Sequence, residues 1–221
     1  MLIKTLSVGQ LETNCYVVTD EATLDCAVID PGDESNLILD YLEENHLRCG
    51  AIFLTHGHYD HVGAVDTVSE ETGATVYLNR LDDRDERHDP HFPFHLPPNG
   101  EHYGDGDSIE IGSLCFEVIA TPGHTPGGVS LRCGEALFTG DTLFRGSCGR
   151  TDLPGGDMEE ELRSLRKLCS LEGDYEVYPG HMDASTLARE RLFNYYCRAA
   201  MNSLGRCRRI QHAGTLFSDS G

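Results

Sequence analysis

A chain of 221 residues that is 39% hydrophobic and 24% charged has the composition of one globular core and excludes wholesale disorder. A formal net charge of −20 speaks against nucleic-acid binding, which needs basic patches to meet phosphates, and the charge itself favours solubility. Nine scattered cysteines with no Cys-x-x-Cys pair argue against a disulfide framework and for a reducing compartment. The N-terminus lacks a basic start followed by a long apolar stretch, and no run approaches the ~20 apolar residues of a membrane helix. The expectation is a soluble cytoplasmic protein with neither nucleic-acid nor membrane partners.

In chain order, residues 1–8 and 14–19 read as strands, and 26–30 as a third that ends in the turn Asp30-Pro31-Gly32. Ser35 is positioned to cap a helix in which Leu37, Ile38, Tyr41 and Leu42 recur at helical spacing. Residues 51–54 form a short apolar strand, 62–72 a helix with valines at 62, 65 and 68, and 74–78 another strand. Residues 79–107 are rich in Asp, Arg, His, Pro and Gly without periodicity, the texture of a long insertion or lid. His88, His91, His95 and His102 lie there at irregular spacing and read as solvent-exposed.

Strands resume at 108–111, 114–120, 129–132 and 136–139. Asp157 with Glu160 makes a capping-box-like start to a helix burying Leu162, Leu165 and Leu168. A strand at 175–178 precedes a last helix opened by Ser185 or Thr186 and running to about residue 200. The expected domain spans 1–202, and 203–221 reads as a polar, frayed tail. The alternation of strands and helices indicates an α/β layered fold.

The chemistry concentrates in Thr55-His56-Gly57-His58-Tyr59-Asp60-His61-Val62, directly after an apolar strand. Imidazole and carboxylate are the usual ligands for zinc and iron-like cations. If the segment stays extended, His56, His58 and Asp60 share a side and His61 points elsewhere, so one loop can serve two neighbouring metals. Three more candidates each follow a strand and sit beside glycine: His124, Asp141 and His181.

Taken in order, these seven residues resemble the ligand set of the metallo-β-lactamase superfamily, whose fold is a four-layer αββα sandwich of two mixed sheets flanked by helices. The stretches Thr-His-Gly-His-Tyr-Asp-His-Val-Gly, Phe-Thr-Gly-Asp-Thr-Leu-Phe and Gly-Arg-Thr-Asp resemble glyoxalase II. The similarity is to its short, single-domain, hydroxyacylglutathione hydrolase-type branch. The resemblance implies two divalent metal ions, zinc above all, with iron or manganese as alternatives. His56, His58 and His124 would hold one and Asp60, His61 and His181 the other, with Asp141 bridging. It further implies a metal-bridging hydroxide, oriented by Asp60, that cleaves a small-molecule acyl thioester of the S-lactoylglutathione kind.

Arg150, with Thr151 and Asp152 beside it, resembles the segment that contacts the thiol's carboxylate, although Arg150 equally suits bracing its own loop through Asp152 or Asp157. Cys148 reads as a packed small residue. After His181 the chain carries Met182-Asp183-Ala184-Ser185-Thr186, where the group has glycine and a nearby proline or tyrosine. The cationic contacts of the classical C-terminal domain have no counterpart, so glutathione itself is not assured as the thiol. Alternative functions are a mononuclear iron persulfide dioxygenase, a lactone or phosphodiester hydrolase, and a non-catalytic metal-binding module.

Overall fold

The computed structural model describes residues 1–84 and 93–210, the last eight as backbone alone. Two six-stranded sheets face each other. In the first, β1 (Leu2–Val8), β2 (Thr13–Thr19) and β3 (Asp25–Ile29) are antiparallel. β4 (Arg48–Phe53), β5 (Thr75–Asn79) and β6 (Gly100–Tyr103) continue the sheet in parallel. The second sheet orders β14 (Ser185–Thr186), β13 (Glu176–Pro179), β10 (Ala136–Gly140), β9 (Val129–Cys133), β8 (Leu114–Ala120) and β7 (Ser108–Ile111). Its pairs are antiparallel except β10 with β13. A small hairpin, β11 (Leu143–Phe144) with β12 (Ser147–Cys148), follows β10.

The four layers follow from strand periodicity. Successive side chains of a strand point to opposite faces, so a strand buried on both sides feeds two cores. In β2, Tyr16 and Val18 pack between the sheets while Cys15 and Val17 face the outer helices. β3 divides in the same way, with Ala27 and Ile29 inward and Cys26 and Val28 outward. The inter-sheet layer is aromatic, with Phe53 and Phe116 ring centroids 4.9 Å apart. Helices α1 (Ser35–Glu44) and α3 (Val65–Thr72) cover one outer face with Ile38, Leu42, Val65 and Val68. On the other, Leu165 and Leu168 of α4 (Met158–Cys169) and Cys197 and Ala200 of α6 (Tyr195–Ile210) pack on Leu137 and Val177.

Several expected boundaries shift. Residues 62–72 are not one helix: α2 (Tyr59–Val62) ends at Gly63 and α3 begins at Val65. Ser35 is the first residue of α1 rather than its cap; Glu34 caps, in a left-handed conformation with no side-chain bond to the helix amides. Asp157 does cap α4, its carboxylate accepting the amides of Glu159 and Glu160. Part of the 79–107 insertion belongs to the first sheet, because β6 pairs with β5 and the buried Tyr103 hydroxyl donates to Leu54 O at 2.9 Å. Four residues were too short a strand to show periodicity. His88 and His91 lie outside the described residues.

The last helix is two: α5 (Leu187–Phe193), capped by Thr186 Oγ1, and α6, which runs beyond residue 202 to Ile210. The expected tail from 203 therefore starts as helix, and 211–221 lie outside the described residues. Among the described residues no helix is long and apolar enough to cross a membrane.

Asn194, fully buried between α5 and α6, explains the break. Its Nδ2 donates to Ser147 O at 2.8 Å and to Glu190 Oε2 at 3.0 Å, while Oδ1 accepts Tyr196 N at 2.9 Å. Buried Glu190 also accepts Gly146 N at 2.7 Å and the Ser185 hydroxyl. Truncating Asn194 strands these groups away from water, and each buried unpaired group costs about 1–3 kcal/mol. Asn194→Ala is expected to lower unfolding free energy in urea by about 2–4 kcal/mol.

Candidate metal centre

The candidate ligands arrive at one edge of the sandwich. His56 and His58 follow β4, Asp60 and His61 lie in α2, His124 lies between β8 and β9, Asp141 follows β10, and His181 follows β13. They gather as His56, His58 and His124 in one group and Asp60, His61 and His181 in another, each with potential ligand atoms within 4.8 Å of one another. The expected extended grouping of Asp60 with His56 and His58 does not form. The chain turns helical at Tyr59, which swings Asp60 to the side of His61.

Hydrogen bonds fix which ring nitrogen faces inward. His124 Nδ1 bonds to Arg150 O at 2.7 Å and His181 Nδ1 to Leu11 O at 3.1 Å. Carbonyl oxygens only accept, so both Nδ1 atoms carry the proton. His61 Nδ1 bonds to Asp30 Oδ2 at 2.9 Å. His56 Nδ1 lies 3.1 Å from Thr55 Oγ1, whose own proton goes to Asp30 Oδ2 at 2.6 Å.

The opposite nitrogens converge: His56 Nε2 is 3.1 Å and His124 Nε2 is 2.9 Å from His58 Nδ1, and His61 Nε2 is 3.3 Å from His181 Nε2. Ring nitrogens held in this way converge within each group, an arrangement that a shared cation makes favourable.

Asp141 spans both groups. Its Oδ1 is 3.5 Å from His61 Nε2, and Oδ2 is 3.5 Å from His124 Nε2 and 3.6 Å from His181 Nε2. Oδ1 is buried without a hydrogen-bond partner, a costly state for a carboxylate oxygen that bound cations relieve. A Cβ at Gly180 would lie 2.3 Å from that oxygen, which is why glycine precedes His181. Gly140, before Asp141, needs φ +47° for its turn. The donor set and the orphaned oxygen thus fit a pair of divalent cations.

Charge tunes the groups unequally. Burial alone pushes the His61 imidazole down, but the carboxylates of Asp141, Asp30 and Asp60 outweigh it and hold it at about 9. His181 is likewise raised: burial opposes, and Asp60 and Asp141 prevail. His56 is held well below its usual value by burial and by the neighbouring imidazoles His61 and His124. Burial raises Asp60, yet the His181 hydrogen bond and the His61 charge leave it below the usual carboxylate range.

Three supporting carboxylates escaped the sequence reading. Asp30, there only a turn residue, accepts the Thr55 amide at 2.7 Å as well as His61. Although Asp30 groups geometrically with His56 and His61, its oxygens are engaged as acceptors behind the rings. Asp82, within the polar 79–107 stretch, is buried and accepts Gly57 N at 3.2 Å, Thr125 Oγ1 at 2.6 Å and Gly127 N at 2.8 Å. It ties the first histidine loop to the His124 loop. Glu161 lies among the α4 leucines, and its Oε2 accepts His124 N at 3.1 Å. Burial pushes its carboxyl to about 9 against the amides of His124 and Gly149. A fully buried acid on a helix otherwise marked by leucines is legible only once its partner loop is known.

Above the ligands opens a cavity of about 660 Å³, to which His58, Asp60, His124, Asp141 and His181 contribute, as do Cys148 and Arg150. Burial pushes the Cys148 thiol up to about 12, so it is not a nucleophile at neutral pH. Arg150 forms a two-pronged pair with Asp152, Nε to Oδ1 and Nη2 to Oδ2, both at 2.7 Å. That pair lowers Asp152 to about 2 and matches the bracing alternative for Arg150. Of the expected contact residues, Arg150 lines the cavity, whereas Thr151 and Asp152 do not. His95 and His102 join neither ligand group; they close on Asp83, each at 2.6 Å.

The sequence profile of the metallo-β-lactamase superfamily matches residues 8–181, and the chain belongs to that superfamily of metal-dependent hydrolases. It is 32% identical over 213 residues to hydroxyacylglutathione hydrolase GloC of Haemophilus influenzae, covering 88% of this chain and 97% of that protein.

Among solved structures, the BLEG-1 B3 metallo-β-lactamase superposes with a TM-score of 0.81 at 33% identity, covering 89% of this chain and 99% of that one. ETHE1 from Myxococcus xanthus gives 0.78 at 30%, with coverages of 98% and 92%. TTHA1623, solved in a di-iron-bound form, gives 0.75 at 36%, with coverages of 87% and 99%.

Two outcomes follow from the outward hydrogen bonds and the raised His61. Asp30→Ala, by freeing the His61 ring, is expected to weaken metal affinity about 10–100-fold in chelator competition, with the circular dichroism of the fold retained. Because His61 holds a proton up to about 9, a cation must displace it. Apparent affinity should therefore fall about tenfold per pH unit on lowering pH from 9 to 7, read by the same competition.

Proposed function

We propose that this protein is a dinuclear metal-dependent hydrolase of acyl thioesters. The observation that carries the reading is Asp141, whose two oxygens reach two equally complete ligand groups. His56, His58 and His124 would hold one cation and Asp60, His61 and His181 the other; zinc suits the mixed imidazole and carboxylate donors, and iron is the alternative. Divalent cations so held supply Lewis acidity toward a carbonyl and acidify water toward a pKa of ~7.

The chain's own groups do the rest. Asp60 stays ionised, and its Oδ2 lies 3.4 Å from the Thr13 hydroxyl and 3.2 Å from His181 Nε2. From that position it accepts a hydrogen bond from the attacking water and orients it. The carbonyl bonds behind His124 and His181 keep those rings from rotating as charge moves. No side-chain nucleophile is needed, in keeping with the inert Cys148. The relationship to a hydroxyacylglutathione hydrolase supports the thioester over a lactone or phosphodiester.

A second reading is a mononuclear iron persulfide dioxygenase. The likeness to ETHE1 keeps it in view, and the completeness of the second ligand group weighs against it.

Metal counting on protein purified without chelators, with thioester hydrolysis and persulfide-dependent oxygen uptake assayed side by side, separates the two. About two metals and hydrolysis are expected; one iron with oxygen uptake and no hydrolysis would refute the proposal. Asp141→Ala should empty both positions and His181→Ala mainly one, measured as bound metal per chain. Equal loss in the two variants would remove the bridging role.

A further inference from the structure

The cavity above the ligands is walled by Leu11, Tyr59, Phe144, Leu153 and Met182. Leu11, Tyr59 and Met182 are 51%, 60% and 60% exposed, an unusual state for three large side chains that share one rim. Adjoining exposed apolar groups around a concave site mark a ligand surface. Met182 is also held at φ +70°, which a side-chain-bearing residue rarely adopts. Asn14 Nδ2 fixes that turn by donating to Met182 O at 2.8 Å and Pro179 O at 3.0 Å. Glycine would adopt the turn more easily, and Met182 instead presents its thioether at the rim.

The cations flanking the cavity are committed elsewhere. Arg150 is neutralised by Asp152 through Nε and Nη2, and Arg145, next in the chain to the wall residue Phe144, is paired with Asp183, its Nη1 donating to Oδ2 at 3.1 Å. A ligand carboxylate would therefore meet guanidinium charge already balanced by an adjacent aspartate, and would lie beside that aspartate.

We propose that the site takes thioesters whose arm beyond the reacting carbonyl sulfur is apolar and uncharged, and that it discriminates against carboxylate-bearing thiols such as peptide thiols. This rests on the thioester reading above. The five apolar walls grip the arm, and the paired Arg150 and Arg145 leave a terminal carboxylate uncompensated.

The test measures binding of leaving-group thiols to the metal-loaded protein by calorimetry. One series is the alkanethiols from ethyl to octyl; the other is the ω-carboxyalkanethiols of the same lengths. Affinity is expected to rise about three- to fourfold per methylene, and the terminal carboxylate to weaken it by about tenfold or more. Met182→Gly should flatten the length series without lowering the melting temperature, and Leu11→Ala, on a surface turn, should flatten it too. Asp152→Asn, which releases Arg150, should shrink the carboxylate penalty.

A flat length series in the unaltered protein, or carboxylated thiols that bind as tightly as alkyl ones, overturns the proposal. Because binding is read without turnover, a length-dependent series in a protein that hydrolyses no thioester would refute the reaction and leave the apolar arm standing.

Discussion

Imidazole rings in this protein are pinned from behind so that their inner nitrogens meet in front. A carbonyl, a hydroxyl or a carboxylate holds the outer nitrogen of His56, His61, His124 and His181, and each bond fixes both tautomer and ring plane. Rings held so firmly cannot turn away from one another when no cation is shared, so the fold carries a crowding of polar groups at its edge, eased on one side by the proton that His61 holds. Two stacked sheets with helices outside are well suited to bear it. The strand ends that carry the ligands are anchored in an aromatic inter-sheet layer, and the supporting acids are bonded to backbone amides. Stability is thus concentrated below the site, and preorganisation is exported to its surface.

The ligands were legible because their chemistry is dense and local. Three histidines and an aspartate within six positions leave few readings, and glycine before His124, Asp141 and His181 marked three further strand ends. An α/β layered fold was legible from the alternation of strands and helices, and its αββα form only through the family resemblance that the ligand motif carries. What escaped were features settled by distant contacts. Nothing near Asp82 or Glu161 announces that each will accept amides from loops 25 to 45 residues away. Local spacing also misjudged the histidine loop itself: an alternating strand pattern placed Asp60 with His58, but the helical start at Tyr59 placed it with His61.

The site divides its labour by polarity. Its floor is imidazole and carboxylate, where charge is exchanged, and its rim is aliphatic, aromatic and thioether, where shape and desolvation act. Arg150 illustrates why a residue type alone does not assign a role. A guanidinium at the mouth of a pocket reads as an anion receptor until its neighbour two residues on is seen to occupy the fork. The strongly acidic composition has the same consequence at larger scale, because acidic side chains are plentiful enough to claim the basic ones.

The tie from Asn14 to Pro179 and Met182, reinforced by Asn14 N donating to Gly180 O at 2.7 Å and the Tyr16 hydroxyl to Pro179 O at 2.6 Å, joins the beginning of the chain to nearly its end. On a ribosome these partners emerge far apart in time. His56, His58, His124 and Asp141 are all made before residue 150, whereas His181 and the turn that β2 must clasp come some forty residues later. Half of the site can therefore mature while the chain is still growing, and the other half waits for β13 to dock beside β10. The order of synthesis makes the His181 side the later half of the site to become native.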